Sequence, residues 1–343
     1  MPAPITAYRS LGYVGLVREA TPGTGEAPTK FFKFLEPVSL KPAQTIQYYR
    51  NGNERDMTVA LKETFRHEGS FKALAYADEG AALCAWAFGK DTITGAGDPY
   101  THTLSLLDTI PWLGGEIGNA EGTQATTVAL VDRIVDMKIA SLVIEGQAGK
   151  QIYLTPTFIG LVSDFKDTTP TAQTFNDGVA NGPYTFQQSV FTMTSLGSDS
   201  STMQGQIQNF KITLDQNLEA IYGPAQLAAI GAVERGRDAM LEFDVVFASS
   251  SIYRLAYFGG TSGTAASATI GTGTFAVKAT CQAAPEHSML ITCNNFDLLS
   301  AEVLLAPNAD LCVVKVKGRM KKVSTTYPLT AVFLNAVSAA YTA

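Results

Sequence analysis

The stretch FKALAYADEGAALCAWAFG, residues 71–89, decides how the chain folds, because LEFDVVFASSSIYRLAYFGG, residues 241–260, has the same layout later on. Phe88 and Gly89 fall over Phe258 and Gly259, an offset of 170 (258 − 88), with almost no other ungapped identity. In the first stretch, alternation through Phe71, Ala73, Ala75 and Ala77 gives way at Asp78 to an apolar block that ends at Gly89. A strand running into a short helix fits this pattern, with Asp78 as N-cap and Gly89 at the left-handed C-terminal position. In the second, Phe243, Val245 and Phe247 alternate with Glu242, Asp244 and Val246, Ser249–Ser251 offer caps, and Gly259 closes the helix. Ala82, Ala85 and Trp86 then match Ile252, Leu255 and Ala256, the i, i+3, i+4 spacing of one buried helix face. Helices this short are unstable alone in water, so each must lie on its own sheet.

Two more pairs keep the same order. FFKFLEPVSL (31–40) matches QNFKITLDQNL (208–218), with Phe32 over Phe210 at an offset of 178. IASLVIEGQAGKQIYLTPTFIG (139–160) reads as a hairpin through Gln147–Gly149, and LLSAEVLLAPNADLCVVKVKG (298–318) as a hairpin through Pro307–Asp310. The fall in offset from 178 to 170 places about eight extra residues in the first copy, between Leu40 and Phe71. The expectation is a mainly β protein of two tandem β-sandwich or partial-barrel domains, each with one flanking short helix. The first domain with its arm spans 1–165, a Thr/Pro/Gly/Asn-rich linker 166–183, the second domain 184–322, and a C-terminal arm 323–343. The apolar end of that arm, with Tyr327, Leu329, Val332, Phe333 and Leu334, is expected to dock on a neighbour.

A chain of 343 residues holds two domains of ordinary size. Apolar residues make up 46% and charged ones 16%, too hydrophobic for disorder and too sparsely charged for a freely diffusing monomer, so subunits are expected to cover part of the surface. The net charge of −6 offers no general basic surface for phosphates, which disfavours nucleic-acid binding as an affinity function. No apolar run reaches the length of a membrane helix, and the N-terminus does not read as a signal peptide; a cytosolic chain is expected.

Catalytic chemistry is not signalled. His67, His102 and His287 are isolated, without metal-ligand spacing, and read as surface or strand histidines. Cys84, Cys281, Cys293 and Cys312 form no CxxC pair and read as buried thiols. The run GGTSGTAASATIGTGTF (259–275) lacks GK[ST] and reads as a flexible loop. The adjacent acids Asp78 and Glu79 are explained by the helix dipole. Single carboxylates such as Glu63, Glu68, Glu242, Asp244, Glu302 and Asp310 mark solvated sheet faces. Trp86 belongs to a helix's apolar face, while Trp112 with tyrosines leaves open a sugar-binding, adhesin-like sandwich. No enzyme activity, cofactor or metal is expected.

GYVGLVREATPGTGEAPTKFFKFLEPVSLKP (12–42), followed by a strand and DEGAALCAWAFG (78–89), resembles the N-terminal half of tail tube proteins of long-tailed, siphovirus-type phages. GAVERGRDAMLEFDVVFASSSIYRLAYFGG (231–260) is similar to the corresponding region of their second half. The resemblance implies a sheet turned toward a central channel, neighbours completing a β-barrel ring, and rings stacked through a long loop and terminal arms. Two copies per chain then imply a three-subunit ring with pseudo-six-fold symmetry. The implied partners are further copies of the chain and the tape measure, tail terminator and tail tip proteins, with viral DNA passing through without specific binding. The implied location is the virion, after assembly in the host cytoplasm. The extra residues of the first copy, with Tyr48, Tyr49, Arg50 and Arg55, are the candidate ring-stacking loop. Tubes of bacterial injection systems use similar subunits and remain an alternative at this level.

Overall fold

The computed structural model describes residues 11–50, 52, 55–120, 128–165, 171, 175, 181–196, 206–247, 250–304 and 312–342. The first half contains β1 (Leu11–Arg18), β2 (Lys30–Phe32), β3 (Lys41–Tyr49), β4 (Val59–Ser70), β5 (Ala73–Leu74), α1 (Glu79–Phe88), β6 (Gly89–Thr94), β7 (Tyr100–Leu106), β8 (Leu113–Ala120), β9 (Val128–Gln147) and β10 (Ile152–Phe165). The second contains β11 (Tyr184–Thr194), β12 (Ile207–Asp215), β13 (Leu218–Tyr222), β14 (Ala229–Glu234), β15 (Asp238–Val246), α2 (Ser251–Phe258), β16 (Thr272–Cys281), β17 (Ser288–Leu304), β18 (Val313–Met320) and β19 (Leu329–Asn335). The protein is mainly β. All strands but the β13–β14 hairpin share one sheet, and β-branched residues alternating with polar ones supply it: in β18, VVKVKGRM, every second side chain is buried.

One succession of antiparallel pairings occurs twice. In the first half β1 pairs with β8, β8 with β9, β9 with β10, and β10 with β4 and β5. In the second, β11 pairs with β16, β16 with β17, β17 with β18, and β18 with β15. The two runs meet where β12, already paired with β15, also pairs with the second half of β9. They meet again where β19 lies between β17 and β7. One continuous core, from Val14 to Tyr341, fills the space between.

Both helices form where the sequence places them, and each ends at a glycine with positive φ, Gly89 at 96° and Gly259 at 67°. Their starts and faces differ from expectation. Neither Asp78 nor Ser250 makes a side-chain cap bond. The Asp78 carboxylate instead takes the Lys30 ammonium at 2.7 Å and the Tyr341 hydroxyl at 2.7 Å. Every residue of α1 is buried, not one face only. In α2 only Ile252 is fully buried, with Leu255 and Ala256 packed partly on the core.

Strand pairing also corrects one match. Ala73 pairs with Phe34 and Phe243 with Phe210, so Phe34, not Phe32, stands in the place of Phe210. Beyond Phe32 this segment bends, which is why β2 is so short. The β9–β10 hairpin turns at Ala148 and Gly149 as anticipated. Pro307–Asp310, Ser249 and most of the interval 166–183 lie outside the described residues.

Candidate functional site

The outer face of the run β5–β10–β9–β12–β15–β18–β17 is polar and charged, because side chains opposite those of the core alternate along every strand. Its lysines and carboxylates face one another across strands. Lys72 Nζ lies 2.7 Å from Glu145 and 3.5 Å from Glu36, and 4.8 Å over the Tyr153 ring. The hydrogen bond to Glu145 outweighs burial and holds the Lys72 ammonium above its ordinary pKa. Lys211 stands in register between Glu145 and Glu242, and Lys315 between Asp244 and Glu302. Lys317 pairs with Glu242 at 3.1 Å. The wall is thus a mosaic of both signs held by cross-strand pairs, where the sequence suggested only single carboxylates on a solvated face.

The β3–β4 hairpin carries the candidate stacking residues. Tyr48 is 61% exposed, and Tyr49, Ile46, Met57, Val59 and Leu61 are exposed beside it. Arg50 and Arg55 are exposed at its tip. So many apolar side chains in water on one projecting element mark an interaction surface. The second half's hairpin, β13–β14, is shorter and packs against the base of the long one: the Phe65 amide donates to the Leu227 carbonyl at 2.8 Å. Lys138 bridges the two halves there, meeting Glu234 and lying 4.2 Å over the Trp112 ring.

The structure places the C-terminal segment within its own chain. Leu329, Ala331 and Phe333 of β19 are buried, with Val332 and Leu334 in register beside them, and Tyr327 is partly buried. A strand joins here because β7 and β17 leave a gap one strand wide, a fact fixed by tertiary structure. Beyond β19, Tyr341 is locked into the first half. Its amide donates to Asp91 at 2.9 Å, its carbonyl accepts from Trp86 Nε1 at 3.0 Å, and its ring lies 4.9 Å from His102. His102 is hydrogen-bonded through both ring nitrogens, Nδ1 with Asp91 at 2.8 Å and Nε2 with the Val337 carbonyl at 2.9 Å. Burial pushes the His102 pKa down, but those two acceptors outweigh it and leave it raised.

The other histidines are also not surface groups. His67 is buried against Asp132 at 3.2 Å and His287 against Asp98 at 2.8 Å. These partners are 65 and 189 residues away, which no local motif reveals. A third polar core lies between β1, β8 and β9. Glu116 there accepts from the Tyr13 hydroxyl, from Arg133 at 2.7 Å and from Thr171 at 2.9 Å. Burial pushes its pKa up, yet those donors hold it below the usual carboxylate value. These sets are held by partners within the chain, although His67 Nδ1, Asp91 Oδ1 and Arg133 Nε are buried without a hydrogen-bond partner among the described residues.

Cys84, Cys281 and Cys293 are buried free thiols and Cys312 is half-buried. Burial pushes the Cys84 and Cys293 thiols far up, so they stay protonated and unreactive. Among the described residues no group of three or more His, Cys, Asp or Glu is placed to hold a metal ion. No helix among them is long and apolar enough to cross a membrane. The arrangement on view is one of surfaces: a charged sheet face, an apolar hairpin and open sheet edges.

Over residues 10–301 the chain matches the family model described as phage tail tube protein. No curated protein matches it.

Proposed function

This chain belongs to the phage tail tube protein family, and on that premise we propose that it closes into a ring of three chains with pseudo-six-fold symmetry, rings that stack into a channel for DNA. At the coarser level it is a structural component of the virion tail that assembles with itself and with other tail proteins. The single observation that carries the finer reading is the β9–β12 joint. It fuses two similarly wired sheets, edge to edge, into one continuous antiparallel wall, and the same joint repeated between chains would close a barrel.

In this reading the two wirings are two tail-tube domains, and the charged face lines the channel. The mosaic supports a channel wall through which DNA passes without being held. Each of Lys72, Lys211, Lys315 and Lys317 is flanked by a carboxylate across the ladder. Phosphates passing by would find each cation already matched, so the counterion release that makes DNA adhere is small. The exposed Tyr48, Tyr49, Arg50 and Arg55 on the long hairpin are the proposed contacts to the next ring, three per ring because the second half's hairpin is short. Negative-stain microscopy of the purified protein tests the reading. Rings or tubes with an axial hole are expected, and a dispersed monomer across protein concentration and salt would overturn it.

A further inference from the structure

Resting on the ring reading above, we propose that the open edge of β17 at Ala301–Val303 receives Phe34–Glu36 of the next copy of this chain as an antiparallel neighbour, with Leu35 opposite Glu302. The internal joint supplies the register. Leu154 pairs with Ala73 on one side and Ile144 on the other; Val316 pairs with Phe243 and Ala301. Ile144 and Ala301 therefore occupy the same place in the two wirings. Ile144 gives its second edge to Ile212 of β12. Among the described residues, no strand takes the second edge of Ala301–Val303.

The other end of the wall is the complement. Phe210 sits between Phe243 and Gly146, whereas Phe34 pairs with Ala73 and, among the described residues, its far edge takes no strand. Carrying the pairs Phe210–Gly146, Lys211–Glu145 and Ile212–Ile144 across gives Phe34–Val303, Leu35–Glu302 and Glu36–Ala301.

Backbone polarity agrees with this. The Leu35 amide donates to Lys72 at 2.9 Å and the Ser39 amide to Ser70 at 2.9 Å, so odd-numbered residues face inward. Phe34 and Glu36 then turn their N–H and C=O groups outward, ready for a partner. Pro37 lacks its donor on the inward side, where the loss does not affect the open edge. Apolar exposure marks both edges, with Leu35 at 53% and Leu299 at 52%. The end of the chain that bears β17 is also the end short of cover: α2, packed on β17, leaves Tyr253 and Tyr257 exposed, while α1, packed on β9, is buried throughout. Two unpaired edges with matching polarity on opposite ends of one sheet suit a second copy of the chain and no other occupant so directly.

Pairs equivalent to Lys211–Glu145 are the non-hydrogen-bonded ones, with Cα atoms about 4.5 Å apart, within reach of a disulfide. The test uses the full chain in a Cys312→Ser background, with Glu302→Cys combined in turn with Lys33→Cys, Leu35→Cys or Pro37→Cys. Oxidised assemblies should yield covalent multimers on a non-reducing gel several-fold more with position 35 than with 33 or 37. Equal or absent cross-linking in variants that form rings by microscopy overturns the proposed register and leaves the ring reading standing. Absence of rings from the unaltered protein sinks the ring reading itself, and this proposal with it. Hydrogen exchange of the unaltered protein gives an independent measure. Amides of Phe34, Glu36, Ala301 and Val303, which turn toward the partner, should exchange at least tenfold more slowly in tubes than in subunits, and unchanged rates there would equally overturn the pairing.

Discussion

Replacing Tyr341 with alanine separates a C-terminus that completes its own subunit from one that waits for a neighbour. The phenol is 7% exposed and donates to Asp78 at 2.7 Å while accepting from Asn335 at 3.0 Å. Deleting a buried aromatic ring costs about 3–5 kcal/mol through lost burial and the cavity left behind. Losing the donor to the Asp78 carboxylate adds roughly 1 kcal/mol, with Lys30 still beside that carboxylate. The total of about 4–6 kcal/mol, spread over a chain of 343 residues whose unfolding entropy is roughly 0.7 kcal/mol/K by the usual per-residue value, lowers Tm by about 6–8 °C. Tyr341→Phe keeps the ring and should cost only about 1–2 kcal/mol. The assay is thermal and urea unfolding of subunits kept unassembled by dilution, followed by far-UV circular dichroism. A Tyr341→Ala subunit as stable as the parent, but unable to form tubes, would refute the reasoning and restore an intermolecular role for this end.

Three further outcomes are expected. Burial first, then the neighbouring Asp136, raise Glu19 from its ordinary 4.5 to about 7; the folded state thus holds a proton that the unfolded chain releases earlier. The stability this gives is fully present below pH 4.5 and lost as pH rises through 7, by at most about 3 kcal/mol, and Glu19→Gln should flatten the change in urea midpoint between pH 5 and pH 8. At Gly69 (φ 144°) a Cβ would lie 2.3 Å from the Ser39 carbonyl oxygen and 2.6 Å from Leu40 Cα, so Gly69→Ala should destabilise by more than about 3 kcal/mol. Gly149→Ala, at φ 79° with nothing within 4 Å, should cost only about 1 kcal/mol in the same melt. Tyr48→Ser combined with Ile46→Ser on the exposed hairpin should leave Tm within about 1 °C while abolishing long tubes in micrographs, and tubes of normal length would count against a stacking role.

Much of the fold was legible because it rests on local periodicity. Alternation in LEFDVVF and VVKVKG, and the glycines after Phe88 and Phe258, are short-range steric facts that tertiary contacts did not override. Single-face burial failed for α1 because the helix is enclosed by β2, β6, β7, β9 and the returning C-terminus, and an all-apolar run looks the same whether one face or every face is covered. What β19 packs on was not legible for a related reason: LTAVFLN says that the segment must be buried, not against what, and here it pairs with β17 and β7 of its own chain. The histidine–aspartate pairs and the Glu116 cluster were invisible, since each joins residues far apart in the chain.

By itself, the sequence determined that this chain is β-rich, carries one plan twice, and is short of charge, because composition and pattern follow from each residue's own preference for water or a pleated surface. Only the tertiary structure decided that the two plans merge through β9 and β12, that the charged face alternates in sign, and that among the described residues no strand takes the second edge of Ala301–Val303. Register is the physical reason: a strand's hydrogen-bonding edges are the same in every sequence, so which strand meets which is settled by long-range packing and not by any local run of residues.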